Sequence, residues 1–177
     1  MSPPHDFIST PAVPLDGPQW RYVLAIYALP GVSSACLMLQ DRLGLDVLVM
    51  LHLAYAATRC GVAVSEETIT AADALVGQWR TDVVRPLRAA RHAIPRHQPA
   101  VADLRAKVQQ AELLAEQHAL AWLAASLPPG SSPPPASAVL SIRGVAAFYA
   151  ARQADAVKAL EEPEVLAAIE RLQQALD

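Results

Sequence analysis

Residues 47–58, VLVMLHLAYAAT, carry no fixed charge and are apolar around nearly the whole circumference of a helix. Such a helix offers water no face, so other elements have to bury it. It is about a dozen residues long, short of the roughly 20 that a bilayer needs. Its burial must therefore come from the rest of the chain, and the supply is ample. Hydrophobic residues make up 53% of the 177 and charged residues only 18%. That excludes a disordered chain, because enough apolar surface is present to offset the entropy of ordering it.

The punctuation around this run is helical throughout. Pro3, Pro4, Pro11, Pro14 and Pro18 fix φ and lack N–H groups, so residues 1–18 read as a Pro-rich arm. A first helix is predicted over about 19–29, with Trp20, Val23, Leu24 and Tyr27 on one face, and Pro30-Gly31 breaks it. A second is predicted over 32–43, with Val32, Cys36, Leu37 and Leu39 mostly inward and Gly44 as its stop. Asp46 is placed to cap the third, the apolar run, which ends at Gly61. Ser65 opens a fourth that reaches about residue 84 through Ile69, Ala72, Leu75, Val76, Trp79 and Val83. Pro86 must kink or restart it, and residues 87–94 continue in a new direction. A long helix over about 99–126 shows a stripe of Leu104, Val108, Ala111, Ala115, His118 and Trp122.

Residues 128–135, PPGSSPPP, are a semi-stiff linker. Two more helices are predicted over about 138–153 and 163–176, the latter with Pro163 at its first position. No segment alternates convincingly with period two. The predicted fold is all-α, an irregular bundle of about six or seven helices. Its core spans 19–127, and a C-terminal helical pair within 136–177 packs on that core.

Net charge is −3 and the pI is near 5.9, which disfavours a nucleic-acid coat protein. Cys36 and Cys60 have neither CxxC nor zinc-finger spacing. Two isolated cysteines in an Ala/Leu-rich chain point to a reduced, cytoplasmic setting. Residues 1–17 lack the basic and apolar regions of a secretory signal.

Three pieces stand in one order: YALPGVSSACLMLQDRLGLDV over 27–47, WRTDVVRPLRAAR over 79–91 and AELLAEQ over 111–117. Together they resemble a family of small uncharacterised bacterial proteins, a domain of unknown function. Its pattern is Y-x2-PGV-x3-CL-x-LQD-x2-G-x-DV, then W-R with PLR-x2-R, then E-L-x-x-E. The resemblance covers about residues 19–125 and implies a helical fold in the bacterial cytoplasm, with no activity attached. The family usually has Asn after DV and then a Trp-containing stretch, where this chain has Leu48 and, from His52 to Tyr55, no Trp.

The strongest polar set is Gln40, Asp41, Asp46, Arg80, Arg85, Arg88, Arg91, Glu112 and Glu116, with Trp79 beside it. Arg88 and Arg91 are three apart and Glu112 and Glu116 four apart, so each pair shares a helix face. If the faces meet, guanidinium forks can bind carboxylates bidentately. Such a seam orients helices; the competing reading is a ligand pocket or partner surface. Asp46, at the start of the buried helix, is expected within reach of Arg88 or Arg91. No metal is expected, since Glu-x-x-His is missing and the nearby arginines compete for the carboxylates. His52 reads as a satisfied core residue, His92 and His97 as solvated, and Cys36 as a small hydrophobe.

Residues 80–107 hold seven basic and two acidic residues, and residues 155–177 six acidic and two basic. The tail either covers the basic stripe or is a solvated face. No P-loop, GxGxxG, HExxH or nucleophile elbow occurs, and no cofactor is expected. The chain therefore reads as a non-enzymatic protein-interaction or adaptor module, with another protein or itself as partner and no membrane or nucleic acid. The alternative is a small-molecule or anion-binding protein, possibly a cryptic enzyme, with an arginine-lined pocket.

Overall fold

The computed structural model describes residues 14–128 and 141–176. Most of the expected arm and linker, and the expected start of the helix at 138, lie outside the described residues. Within them the helices are α1 (Pro18–Tyr27), α2 (Val32–Leu43), α3 (Val47–Cys60), α4 (Glu66–Trp79), α5 (Arg85–Ala93), α6 (Ala102–Ala125), α7 (Ile142–Ala150), α8 (Ala156–Ala159) and α9 (Pro163–Leu176). No strand occurs among the described residues. The all-α reading holds. The helices number slightly more than six or seven, α8 being a single short turn.

α3 is the buried centre. Val49, Met50, Leu51 and Ala54 are fully buried, and α1, α4 and α6 pack around them. Asp46 caps the helix as expected, its Oδ1 accepting the Val49 N–H at 3.0 Å. At the other end Gly61 takes φ +65°. Pro30-Gly31 bends the path by 95° between α1 and α2, with Gly31 at φ +80°. α1 begins at Pro18, whose fixed φ suits the first helical position.

The interruption after α4 is a π-helical turn over Arg80–Val84, closed by the Arg85 N–H donating to the Arg80 carbonyl. Its cause is Pro86, which lacks an N–H and whose ring would strike the carbonyl four residues earlier. One extra residue in the turn relieves that clash and shifts the phase of everything after it. Periodicity counted through α4 therefore does not carry into α5, which buries none of its own residues.

Three expected faces hold only in part: Val32, Cys36 and Leu39 of α2, Val23 of α1 and Ala115 of α6 are buried as expected. In α6 the buried positions are Glu112, Ala115, Ala119, Leu120, Ala121 and Leu123, whereas Leu104 and Ala111 of the expected stripe face solvent. Leu37 of α2 and Leu24 and Tyr27 of α1 are likewise exposed. Gln19 takes an inward place on α1 instead, because its amide meets buried His52, nitrogen to Nδ1, at 3.1 Å.

The C-terminal helices close the other side. α2 and α9 form the most extensive helix contact among the described residues. Val32, Leu39 and Leu43 share one apolar cluster with Val165, Ile169 and Leu172. Arg171 Nε donates to the Pro30 carbonyl at 2.8 Å, and Arg42 pairs with Glu162. α9 packs on α2 and α7. Among the described residues its acids form no ion pair with the basic stripe, so the solvated-face reading of the tail is the one that applies.

Two expectations follow. Gly44 takes φ +63°, and a Cβ there would lie 1.8 Å from Gln153 Nε2, the group that donates to the Leu43 carbonyl at 2.9 Å. Gly61 has the same handedness, with no comparable close approach among the described residues. Gly61→Ala should therefore cost about 1 kcal/mol of left-handed strain, and Gly44→Ala more in urea melts. The excess should vanish in a Gln153→Ala background.

Burial lowers the His52 pKa to about 4, below the ordinary 6.5 of the unfolded chain. The unfolded state thus binds more protons between those values, so stability is lost as pH falls from about 6.5 toward 4. At pH 5 the loss should be about 2 kcal/mol relative to pH 7. His52→Asn should flatten that part of the pH profile of urea stability.

Candidate functional site

α5 lies along α6, and their polar faces meet. Arg88 Nε donates to Glu112 Oε1 at 2.9 Å and its NH2 group to Glu116 Oε1 at 2.6 Å. Its third nitrogen donates to Gln40 Oε1, in the last turn of α2, at 3.1 Å. Arg91 grips the same Glu112 with two nitrogens, at 2.5 and 3.2 Å. A buried carboxylate is thus held by two guanidinium groups. Burial pushes Glu112 upward, but hydrogen bonds from Arg91 and Arg88 outweigh it and bring its pKa below the usual glutamate value. Glu116 goes the other way: burial raises its pKa, Arg88 offsets only part, and the charge of Glu112 adds to the rise.

A second cluster joins the first at the π turn. The same Arg80 nitrogen donates to Asp46 Oδ2 at 2.5 Å and to Asp73 Oδ1 at 2.8 Å. Asp73 Oδ1 also accepts the Tyr149 hydroxyl at 2.8 Å, which ties α4 to α7. Burial raises the Tyr149 pKa, and Asp46 and Asp73 add to the rise, so this phenol stays a donor. Trp79 Nε1 donates to the Ala115 carbonyl at 2.9 Å, and its ring meets Trp122 edge-on with centroids 4.9 Å apart.

The expected partner of Asp46 needs correcting. Its cation is Arg80, not Arg88 or Arg91, because the two glutamates of α6 draw those arginines to themselves. Asp41 is exposed and joins no ion pair among the described residues. Asp73 and Tyr149 escaped the sequence reading. Asp73 precedes Arg80 by seven residues, two helical turns, a spacing that puts both on one side of α4. Nothing local marks Tyr149.

All nine residues singled out as candidates line one groove of about 900 Å³. Four exposed apolar side chains line it too: Leu24, Tyr27, Leu37 and Leu113. Arg85, His92 and Arg96 line the groove from α5 and the turn after it, and Arg85 and Arg96 have no ion pair among the described residues. In the paired clusters three arginines face four carboxylates, and Arg80 bonds through one nitrogen only, its buried Nε having no hydrogen-bond partner among the described residues. Cys36 is buried, and burial pushes its thiol up to about 12, so it is no nucleophile at neutral pH. Among the described residues no group of three or more His, Cys, Asp or Glu is arranged to hold a metal ion. None of their helices is long and apolar enough to cross a membrane alone.

Fold and groove together define a small all-α protein with a mixed apolar and cationic cleft. The chain belongs to the family described as protein of unknown function (DUF2390), whose model matches residues 18–123. No curated protein and no solved structure matches it significantly.

The side chains of Arg80 and Asp46 are only 22% and 9% exposed, so losing one leaves the other poorly hydrated. Asp46→Asn or Arg80→Met should each cost up to about 3 kcal/mol. Their double-mutant cycle should show a coupling between about 0.5 and 3 kcal/mol. Asp46→Asn with Arg88→Met should be additive within about 0.5 kcal/mol. Urea melts of the five variants measure both, and additivity in the first pair would remove Arg80 as the partner of Asp46.

Proposed function

We propose that this protein is a non-enzymatic interaction module whose contact surface is the groove. The observation that carries the reading is where the exposed apolar residues lie. Leu24, Tyr27, Leu37 and Leu113 are each more than a third exposed, and all four line the same cleft. Scattered apolar residues need no explanation, but several gathered in a concave surface with a polar wall are what a protein contact requires. The cost of exposing them alone is recovered when a partner covers them.

The anion-pocket alternative relied on Arg80, Arg88 and Arg91 as counter-charges. All three already pair with carboxylates, Asp46, Asp73, Glu112 and Glu116, so a small anion entering there meets negative charge beside each guanidinium, even at the buried Arg80 Nε, which has no hydrogen-bond partner among the described residues. That weighs toward the interaction reading.

A photo-crosslinking amino acid placed at Leu37 tests it, with the same group at Val157 as control. Val157 is 53% exposed and lies outside the groove. Irradiation in cells should give one discrete protein adduct from position 37, none from 157, and none from position 37 when Leu113→Asp is added. No adduct at 37, or the same adduct at 157, rules the groove out as the contact.

A further inference from the structure

The groove's charges do not cancel evenly. Arg80, Arg88 and Arg91 are engaged by carboxylates within the protein. Arg85 and Arg96, exposed on the groove wall, remain open, with His92 between them. Asp41 is the one open carboxylate among the described lining residues, and it sits at the end of α2, away from that wall in sequence. An occupant therefore meets apolar contacts from α1, α2 and α6 and a cationic edge along α5.

Spacing adds a constraint. Arg85 is the first residue of α5, and Arg96 follows its end at Ala93. At a rise of 1.5 Å per residue α5 spans roughly 12 Å from Arg85 to its end, beyond which Arg96 stands. Two carboxylates about two turns apart on a facing helix match that span. They leave the apolar residues at i, i+3, i+4 and i+7 free to lie on the leucines. The whole chain has a net charge of −3, so an acidic partner is not drawn by the overall field. Recognition has to come from these local charges, and salt should weaken it.

We propose that the occupant is an acidic amphipathic helix of a partner protein. Its apolar stripe lies on Leu24, Tyr27, Leu37 and Leu113, and its carboxylates face Arg85 and Arg96. This rests on the groove being the contact proposed above. Charge complementarity selects this occupant over a basic helix.

The probe is a fluorescein-labelled 16-residue helical peptide with leucines on one face and glutamates flanking it, beside an isomer carrying lysines for the glutamates. Anisotropy titration of the full chain should find the acidic peptide at least tenfold tighter, with the advantage shrinking as salt rises. Arg85→Glu with Arg96→Glu should reverse the preference, and Leu37→Asp should weaken both peptides at least tenfold. All three positions are exposed, and circular dichroism checks that the variants keep the fold. Equal binding of the two peptides, with both lost in Leu37→Asp, overturns the acidic partner but leaves the groove standing. Binding untouched by Leu37→Asp overturns both readings. Failure of the acidic peptide to bind overturns the acidic helix, and the crosslinking outcome then decides the groove separately. A single-stranded oligonucleotide that binds more tightly than the acidic peptide also overturns it. So does a dimer in sedimentation equilibrium that Leu37→Asp dissociates.

Discussion

One carboxylate, that of Asp46, holds two parts of the molecule in register. One oxygen closes the first turn of the buried helix α3, and the other takes the guanidinium of Arg80. Arg80 belongs to the π turn that redirects the chain from α4 into α5. The N-terminus of the central helix therefore fixes where the next wall of the groove departs. The link continues through Asp73 to Tyr149, so α3, α4 and α7 share one polar thread. The helix dipole favours a negative charge at that N-terminus, which makes Asp46 well suited to both roles.

Beyond the π turn the logic changes. α5 buries no residue of its own and is held on α6 mainly by the forks of Arg88 and Arg91. Glu112 is the first buried position along α6, where an apolar residue would ordinarily stand. Two guanidinium groups compensate it, and Arg88 reaches α2 as well. A lysine has a single nitrogen, whereas Arg88 reaches Glu112, Gln40 and Glu116 from three separate ones. The groove wall is thus positioned by polar geometry, whereas the opposite side of the protein is positioned by apolar packing.

That division explains what the sequence made legible. α2, α3 and α9 are bounded by glycine, an aspartate cap and proline, so their limits could be read from local chemistry. The seam could be read because Arg88 and Arg91, like Glu112 and Glu116, keep helical spacing within one element. The pairing of Asp46 could not, because it depends on the phase change at the π turn. The inward face of α6 was misread for a related reason. Counting apolar residues selects Leu104 and Ala111, but burial followed the charged Glu112 once two arginines satisfied it. Leu24 and Leu37 of the groove were placed on inward faces, since periodicity shows that a face is apolar but not whether a neighbour covers it.

The pairing of α2 with α9 has a consequence for how the chain is made. The matched family region ends at residue 123, yet the apolar side of α2 is covered by a helix that begins at Pro163. On a ribosome adding roughly 5–20 residues per second, α2 waits on the order of ten seconds for its cover. During that interval Val32, Leu39 and Leu43 lie open in a nascent chain that already carries the whole of α3. The segment recognisable as the family is therefore not the segment that can finish folding. Synthesis has to run well past it before the core can close.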